Sequence, residues 1–152
     1  MFATRKISDT TYVFRYQGHQ SMFVVTPAGV IATDPISYGR PQAAQAYLDE
    51  IRKIALDDNA LMDQRRAALL SLIEAKDKQL KQVCEKLITV RGVNMEAIQG
   101  LTQFDQDGVA KRIIDRYMQL YPHERPQAIM ALVSRKRWIG FSAQPSGSVA
   151  VD

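Results

Sequence analysis

The spacing of the apolar residues changes at Ile54-Ala55-Leu56-Asp57-Asp58, and this change separates two kinds of predicted structure. Before it, short runs of β-branched and aromatic residues are separated by Gly and Pro, as is typical of strands and turns. After it, apolar residues recur every three or four positions almost to Trp138, which predicts helices. We therefore assign residues 1–56 to a strand segment, residues 57–140 to a helical segment and residues 141–152 to a flexible tail.

The strand segment predicts a small antiparallel β-meander followed by one helix. Turn residues separate three apolar runs, so the predicted strands span residues 10–16, 21–26 and 29–33, and the helix spans residues 42–54. We expect one apolar face of this sheet to pack on the helices that follow. The residues predicted for that face are Val13, Phe23, Val25 and Ile31.

Composition indicates a folded soluble protein of ordinary type. The 152 residues are 46% hydrophobic and 24% charged, and the net charge of +4 comes from basic residues spread over both segments. A local basic cluster, Arg135-Lys136-Arg137, precedes Trp138 and suits nucleic-acid binding, but a charged helix end gives the same pattern. Binding to nucleic acid is therefore the weakest of the functions considered.

The single cysteine and the lack of long apolar runs indicate the compartment. Cys84 shares a helical face with Leu80, Leu87 and Ile88, which predicts a buried structural thiol. One cysteine forms no internal disulfide. No run of residues is long and apolar enough for a signal peptide or a membrane span. The sequence thus predicts a cytoplasmic protein with no membrane partner.

A strand-end aspartate carries the first family resemblance. Residues 12–35 read as strand, turn, strand, turn and strand, ending in Asp34 before a helix. This order resembles the opening of a metallo-β-lactamase-fold hydrolase, and the resemblance implies that Asp34 is the remnant of a metal site, where it would orient ligands from later segments. A turn or helix-entry role is the alternative for Asp34.

The metal-binding signature of that family is missing from the sequence. The family carries a His-x-His-x-Asp-His loop, whereas this chain contains only His19 and His123. A catalytic zinc site needs about three protein ligands on one metal. We therefore predict no catalytic residues and no bound metal.

The helical segment contains a weak repeat. An Ala-aliphatic-x-x-Leu core recurs at spacings of 29 and 31 residues, and its three copies are Ala68 to Leu72, Ala97 to Leu101 and Ala128 to Leu132. Second helices are predicted at residues 80–88 and 109–120. The fold class expected is α+β, with the meander followed by four to six helices in antiparallel pairs, and with Leu72, Leu101 and Leu132 as buried equivalents.

The repeats carry the second family resemblance. Residues 63–135 resemble the HEAT-like helical region of large planctomycete-type haem-binding proteins. The residues that carry it are Asp63-Gln64-Arg65-Arg66-Ala67-Ala68-Leu69, Ala97-Ile98, Leu101, Phe104-Asp105, Arg116-Tyr117, Leu120 to Arg125, Ala128 and Ala131 to Arg135. In those proteins the repeats form a scaffold, and a Cys-x-x-Cys-His motif attaches the haem. A single cysteine cannot supply that motif, so we predict neither haem nor another cofactor.

A cluster of polar and aromatic residues follows the second predicted helix pair. Arg116, Tyr117, Tyr121 and His123 are close in sequence and predict a polar pocket at a helix end. Ordinary packing between two helices is the alternative explanation.

Three functions remain open at this point. The leading hypothesis is a non-catalytic helical-repeat interaction or scaffold protein that carries a truncated metallo-β-lactamase-like segment. The alternative is a remnant or regulatory relative of a metal-dependent hydrolase, and the third is a basic nucleic-acid-associated protein. Since a partial sheet has exposed edges, we expect a protein partner or a homo-oligomer.

Overall fold

The computed structural model describes residues 2–33, 41–104 and 107–134. It contains a four-stranded antiparallel sheet followed by helices, so the predicted α+β class is confirmed. The strands follow one another across the sheet in chain order, and they are β1 (Phe2–Lys6), β2 (Thr11–Tyr16), β3 (His19–Thr26) and β4 (Gly29–Thr33). The prediction of three strands missed β1, which lies at the sheet edge and carries no apolar run.

The register of the sheet decides which side chains face the helices. Phe23 and Val25 are buried, as predicted, but Ile31 is 59% exposed and Val13 is only half-buried, so their assignment to the inner face was wrong. Val13 pairs with Met22 on the opposite face, because side chains alternate along each strand. The side chains on the other face of β2 are aromatic and larger, so they occupy the interior instead.

Six helices lie in the described part of the chain, and the even-numbered ones form a row. Their bounds are α1 (Pro41–Leu56), α2 (Met62–Glu74), α3 (Leu80–Leu87), α4 (Asn94–Leu101), α5 (Asp107–Tyr117) and α6 (Arg125–Val133). Consecutive helices pack as pairs, α1 with α2, α3 with α4 and α5 with α6. The even-numbered helices also pack on one another in order, and α1 packs on α3.

The sequence repeat coincides with the even-numbered row. Ala68, Ala97 and Ala128 occur on α2, α4 and α6 and are fully buried. Small residues at these positions let neighbouring helices approach closely. Leu72 and Leu101 are fully buried as predicted, but Leu132 is only partly buried, so the expected equivalence was wrong for the third copy. Among the described helices, none follows α6 to cover its far side.

The bounds of two predicted helices need correction. The predicted helix 109–120 begins earlier and ends at Tyr117, because the next residues form a turn in which Leu120 N donates to Tyr117 O at 3.2 Å. The predicted helix 42–54 extends from Pro41 to Leu56. None of the helices described here combines the length and the apolar character that crossing a bilayer requires.

The inner face of the sheet packs directly on the first two helices. The rings of Phe14 and Tyr47 lie 4.0 Å apart between centroids, and the Tyr47 hydroxyl donates to Ser21 Oγ. Val30 N donates to Ser71 Oγ of α2 at 3.2 Å. One continuous set of buried side chains runs from the sheet to α6, so the helices hold the sheet in a fixed orientation.

Candidate functional site

Three of the features predicted from the sequence lie outside the described residues. These are Asp34, the metal-site remnant; the basic cluster at residues 135–137 with Trp138; and the tail at residues 141–152. Over residues 2–33, 41–104 and 107–134, no three His, Cys, Asp or Glu side chains come together in a way that would hold a metal ion.

The predicted polar pocket corresponds only in part to a real cleft. Arg116 and Tyr121 line a cleft of about 100 Å³ together with Arg91, Asn94 and Glu124. It lies between the loop that precedes α4 and the loop that precedes α6. Two of the four residues in the predicted pocket therefore line this cleft, together with three that the prediction did not include.

The other two predicted residues pack beside the cleft. His123 is exposed, and its ring stacks on the Tyr121 ring with 5.5 Å between centroids. The Arg125 guanidinium lies over the Tyr117 ring, 5.6 Å from its centroid. Neither arrangement leaves a reactive group directed into the cleft.

Contacts across the cleft join two successive repeats. The carboxylate of Glu124 accepts from Asn94 Nδ2 at 3.1 Å and from Tyr121 N at 2.8 Å. The Arg91 guanidinium lies 4.5 Å from the Tyr121 ring centroid and donates to its hydroxyl oxygen. Because these groups satisfy one another, the cleft is better explained as packing between loops than as a ligand site.

A signal in the sequence could have found the missed residues. Asn94 bonds to Glu124 and Arg91 bonds to Tyr121, and each pair is separated by 30 residues. Gln103 Nε2 donates to Ile73 O across the same separation, in the preceding repeat. The repeat spacing of the Ala-Leu cores therefore also predicts which loops exchange hydrogen bonds.

A larger cavity, of about 750 Å³, lies between β1, α1 and α3. The charged groups that α1 contributes to it are already paired. Arg52 lies 2.6 Å from Asp49 and 3.0 Å from Asp77, and Lys53 lies 2.6 Å from Glu50. An entering ligand would have to compete with these ion pairs for the same groups.

Cys84 is buried between α3 and α4. A Cβ atom added to Gly100 would lie 2.5 Å from Cys84 Sγ, so the thiol fills the space that this glycine leaves. Burial raises the pKa of the Cys84 thiol from 9.0 to about 12. The predicted buried position is confirmed, and the neutral thiol packs as a small apolar group.

We expect the Cys84 thiol to react only when the protein unfolds. At pH 8, Ellman's reagent should modify the native protein negligibly and the denatured protein at one thiol per chain, because only the thiolate attacks. Since the folded pKa is raised, the contribution of the neutral thiol to stability is complete below pH 9 and is lost as the pH rises towards 12. Rapid modification under native conditions would contradict the packing described here.

The outer face of the sheet, opposite the helices, carries an apolar stripe. We define this stripe as Val13, Met22, Val24 and Ile31. Cross-strand pairing joins Val13 to Met22 and Val24 to Ile31, and Met22 is 38% exposed. The stripe was not predicted, because identifying it requires the register of the strands.

The third strand is apolar on both of its faces. It contains the continuous run Met22-Phe23-Val24-Val25, in which Phe23 and Val25 face the helices. Such continuous runs are typical of strands that are covered on both sides. In the described part of the chain, helices cover the inner face alone.

Comparisons of the chain with known protein families, curated proteins and solved structures found no match.

Proposed function

We propose that this protein is a non-catalytic interaction module in which the stacked helices support the sheet and the outer face of the sheet binds a protein partner. The observation that carries the proposal is the apolar stripe on a strand whose other face is already buried. The outer face of an antiparallel sheet is ordinarily polar when it contacts water. An apolar stripe on that face therefore indicates a binding surface.

The size of the hydrophobic effect supports binding at this stripe. Burying a Met or Ile side chain completely contributes about 1.5–3 kcal/mol relative to full exposure. Met22 and Ile31 are 38% and 59% exposed, so a partner that covers both gains part of that free energy from each. Two adjacent anchors on a rigid sheet are a suitable centre for an interface.

The two alternative functions have less support. A metal-dependent hydrolase requires a cluster of ligands, and the described residues supply none. Binding to single-stranded nucleic acid on the sheet would use aromatic rings as stacking platforms. The strand aromatics instead stack within the inner face, as Tyr12 does on Phe23 and Phe2 on Tyr16.

A double variant on the stripe tests the proposed function. Peptides of about ten residues, enough to cross the sheet at about 3.3 Å per residue, are selected from a randomised display library against the parent protein. We expect Met22→Ser/Ile31→Ser to weaken their binding at least about tenfold, measured by fluorescence anisotropy. The matched control, Ile129→Ser/Met130→Ser, removes equally exposed residues from α6 and should bind as the parent does.

The thermal melting curve of each variant shows that the fold is retained, which is expected because all four side chains are exposed. Selected peptides that bind the stripe variant as tightly as the parent would overturn the proposal.

A further inference from the structure

We infer that the partner of the outer face is an extended segment with an acidic residue followed by apolar residues, and that its carboxylate binds between Arg5 and Arg15. This inference rests on the proposed function and adds the chemistry of the partner. Its starting point is a cavity of about 310 Å³ on the outer face, lined by Ala3, Arg5, Val13, Arg15 and Gln20.

The strand register brings the two arginines to the same cavity. Arg5 pairs with Val13 across β1 and β2, and Arg15 pairs with Ala3. Arg5 and Arg15 are therefore diagonal neighbours on one face, at about 7–8 Å. Both side chains line the cavity, as do Val13 and Ala3. Two guanidinium groups at one cavity can both donate to a single carboxylate.

The charge of this surface is not balanced within the described part of the chain. The four strands contain no Asp or Glu, and no carboxylate there pairs with Arg5 or Arg15. The nearby acid in the β1–β2 turn, Asp9, instead lies 3.4 Å from Lys6.

Arginines on the helices more often have a carboxylate partner. Four of them have a carboxylate within 3.4 Å, and these pairs are Arg52 with Asp49 and Asp77, Arg65 with Asp58, Arg66 with Asp63 and Glu96, and Arg112 with Glu85. Two further helix arginines, Arg116 and Arg125, have no carboxylate partner but donate to Gln119 Oε1 at 2.8 Å and to Met118 O at 3.4 Å. Within the described residues, the sheet therefore differs in offering arginines without internal partners. An acidic partner would supply the missing charge.

The basic cavity and the apolar stripe form one surface. Val13 lines the cavity and pairs with Met22 of the stripe. A segment whose carboxylate binds the two arginines therefore places its next side chains over Met22 and then over Ile31. Acidic and apolar residues must be adjacent in the partner.

Charge complementarity selects this partner over two others. A second copy of the chain binding through the same face would bring Arg5 and Arg15 against another pair of cations, which costs free energy. A nucleic acid would find phosphate-binding groups here, but the other side chains that line the cavity, Ala3, Val13 and Gln20, offer no ring for a base to stack on.

A charge-reversal variant tests the inference with the peptides selected on the parent protein. We expect these peptides to be enriched in Asp or Glu next to apolar residues, and their affinity to fall as salt is raised. Arg5→Glu/Arg15→Glu should weaken the binding of these peptides at least about tenfold. Replacing the acidic residues of the peptides with Lys should restore their binding to this variant. The matched control, Lys78→Glu/Lys86→Glu, makes the same change in net charge at exposed positions on the helical side and should bind as the parent does.

The outcomes separate the inference from the proposed function. Binding that depends on Met22 and Ile31 but survives Arg5→Glu/Arg15→Glu overturns the inference and leaves the proposed function standing. If the selected peptides lack acidic residues, the inference is likewise overturned and the proposed function still stands. Binding that is indifferent to both variants overturns the proposed function itself.

Discussion

Asp77→Ala lowers the free energy of unfolding by about 3 kcal/mol, the largest loss that we expect from removing one charged side chain. The Asp77 side chain is fully buried, and its carboxylate accepts from Arg52 Nε at 3.0 Å and from Nη2 at 3.4 Å. The same carboxylate accepts from Gln79 N at 2.9 Å at the start of α3. Removing it leaves a buried guanidinium short of a partner and Gln79 N, just before α3, without its acceptor.

The expected loss lies at the lower end of the range for buried ion pairs, because Asp49 still contacts Arg52 at 2.6 Å. Urea denaturation of Asp77→Ala and of the parent measures this loss in the free energy of unfolding. Asp115→Ala is the matched control, since Asp115 also pairs with a cation, Lys111 at 2.8 Å, but both side chains are more than half exposed. Its cost should stay below about 1 kcal/mol.

A double variant distinguishes loss of the ion pair from loss of packing. Arg52→Met/Asp77→Leu removes both charges together, so it should be more stable than Asp77→Ala alone. If Asp77→Ala unfolds at the same urea concentration as the parent, the buried ion pair contributes nothing and our account of the α1–α3 contact is wrong.

Leu101→Ala is expected to cost about 2–5 kcal/mol, because the residue is fully buried on α4 in the middle of the even-numbered row. Neighbouring helices on both sides limit how far the resulting cavity can collapse. Leu132→Ala removes the equivalent side chain from α6, where it is only partly buried, and should cost less than half as much.

Denaturant midpoints of the two leucine variants, compared at equal m-values, provide the measurement. Lys78→Ala, at an exposed position before α3, should change the free energy of unfolding by less than about 0.5 kcal/mol. Equal losses for Leu101→Ala and Leu132→Ala would show that α6 is covered as fully as α4.

The helices were more predictable from the sequence than the strands, for a physical reason. A helix with one buried face repeats its apolar residues with a clear period, so Ala68, Ala97 and Ala128 could be recognised as equivalents. In β2, β3 and β4 both faces contain apolar residues, and alternation alone does not say which set faces inward. Val13 and Ile31 were therefore placed on the wrong side.

The candidate surfaces were less predictable than the fold, because they depend on pairing between distant residues. The cavity between Arg5 and Arg15 exists only because Phe2–Lys6 pairs with β2, and that strand was not predicted. The polar cleft was found in part, because Arg116 and Tyr121 are close in sequence. Arg91 and Asn94 contribute to it from one repeat earlier.

The stacking of the helices also determines how far a local disturbance can travel. The main contacts of each helix are with its neighbours in the stack, and among the described helices the even-numbered row links α2 to α6 through α4. Stability in such a linear arrangement is a sum of local contributions, so opening can begin at α6 and stop before it reaches the sheet. Mutations that accumulate on α6 would then be tolerated without altering the strands, and the two ends of the molecule could diverge at different rates during evolution.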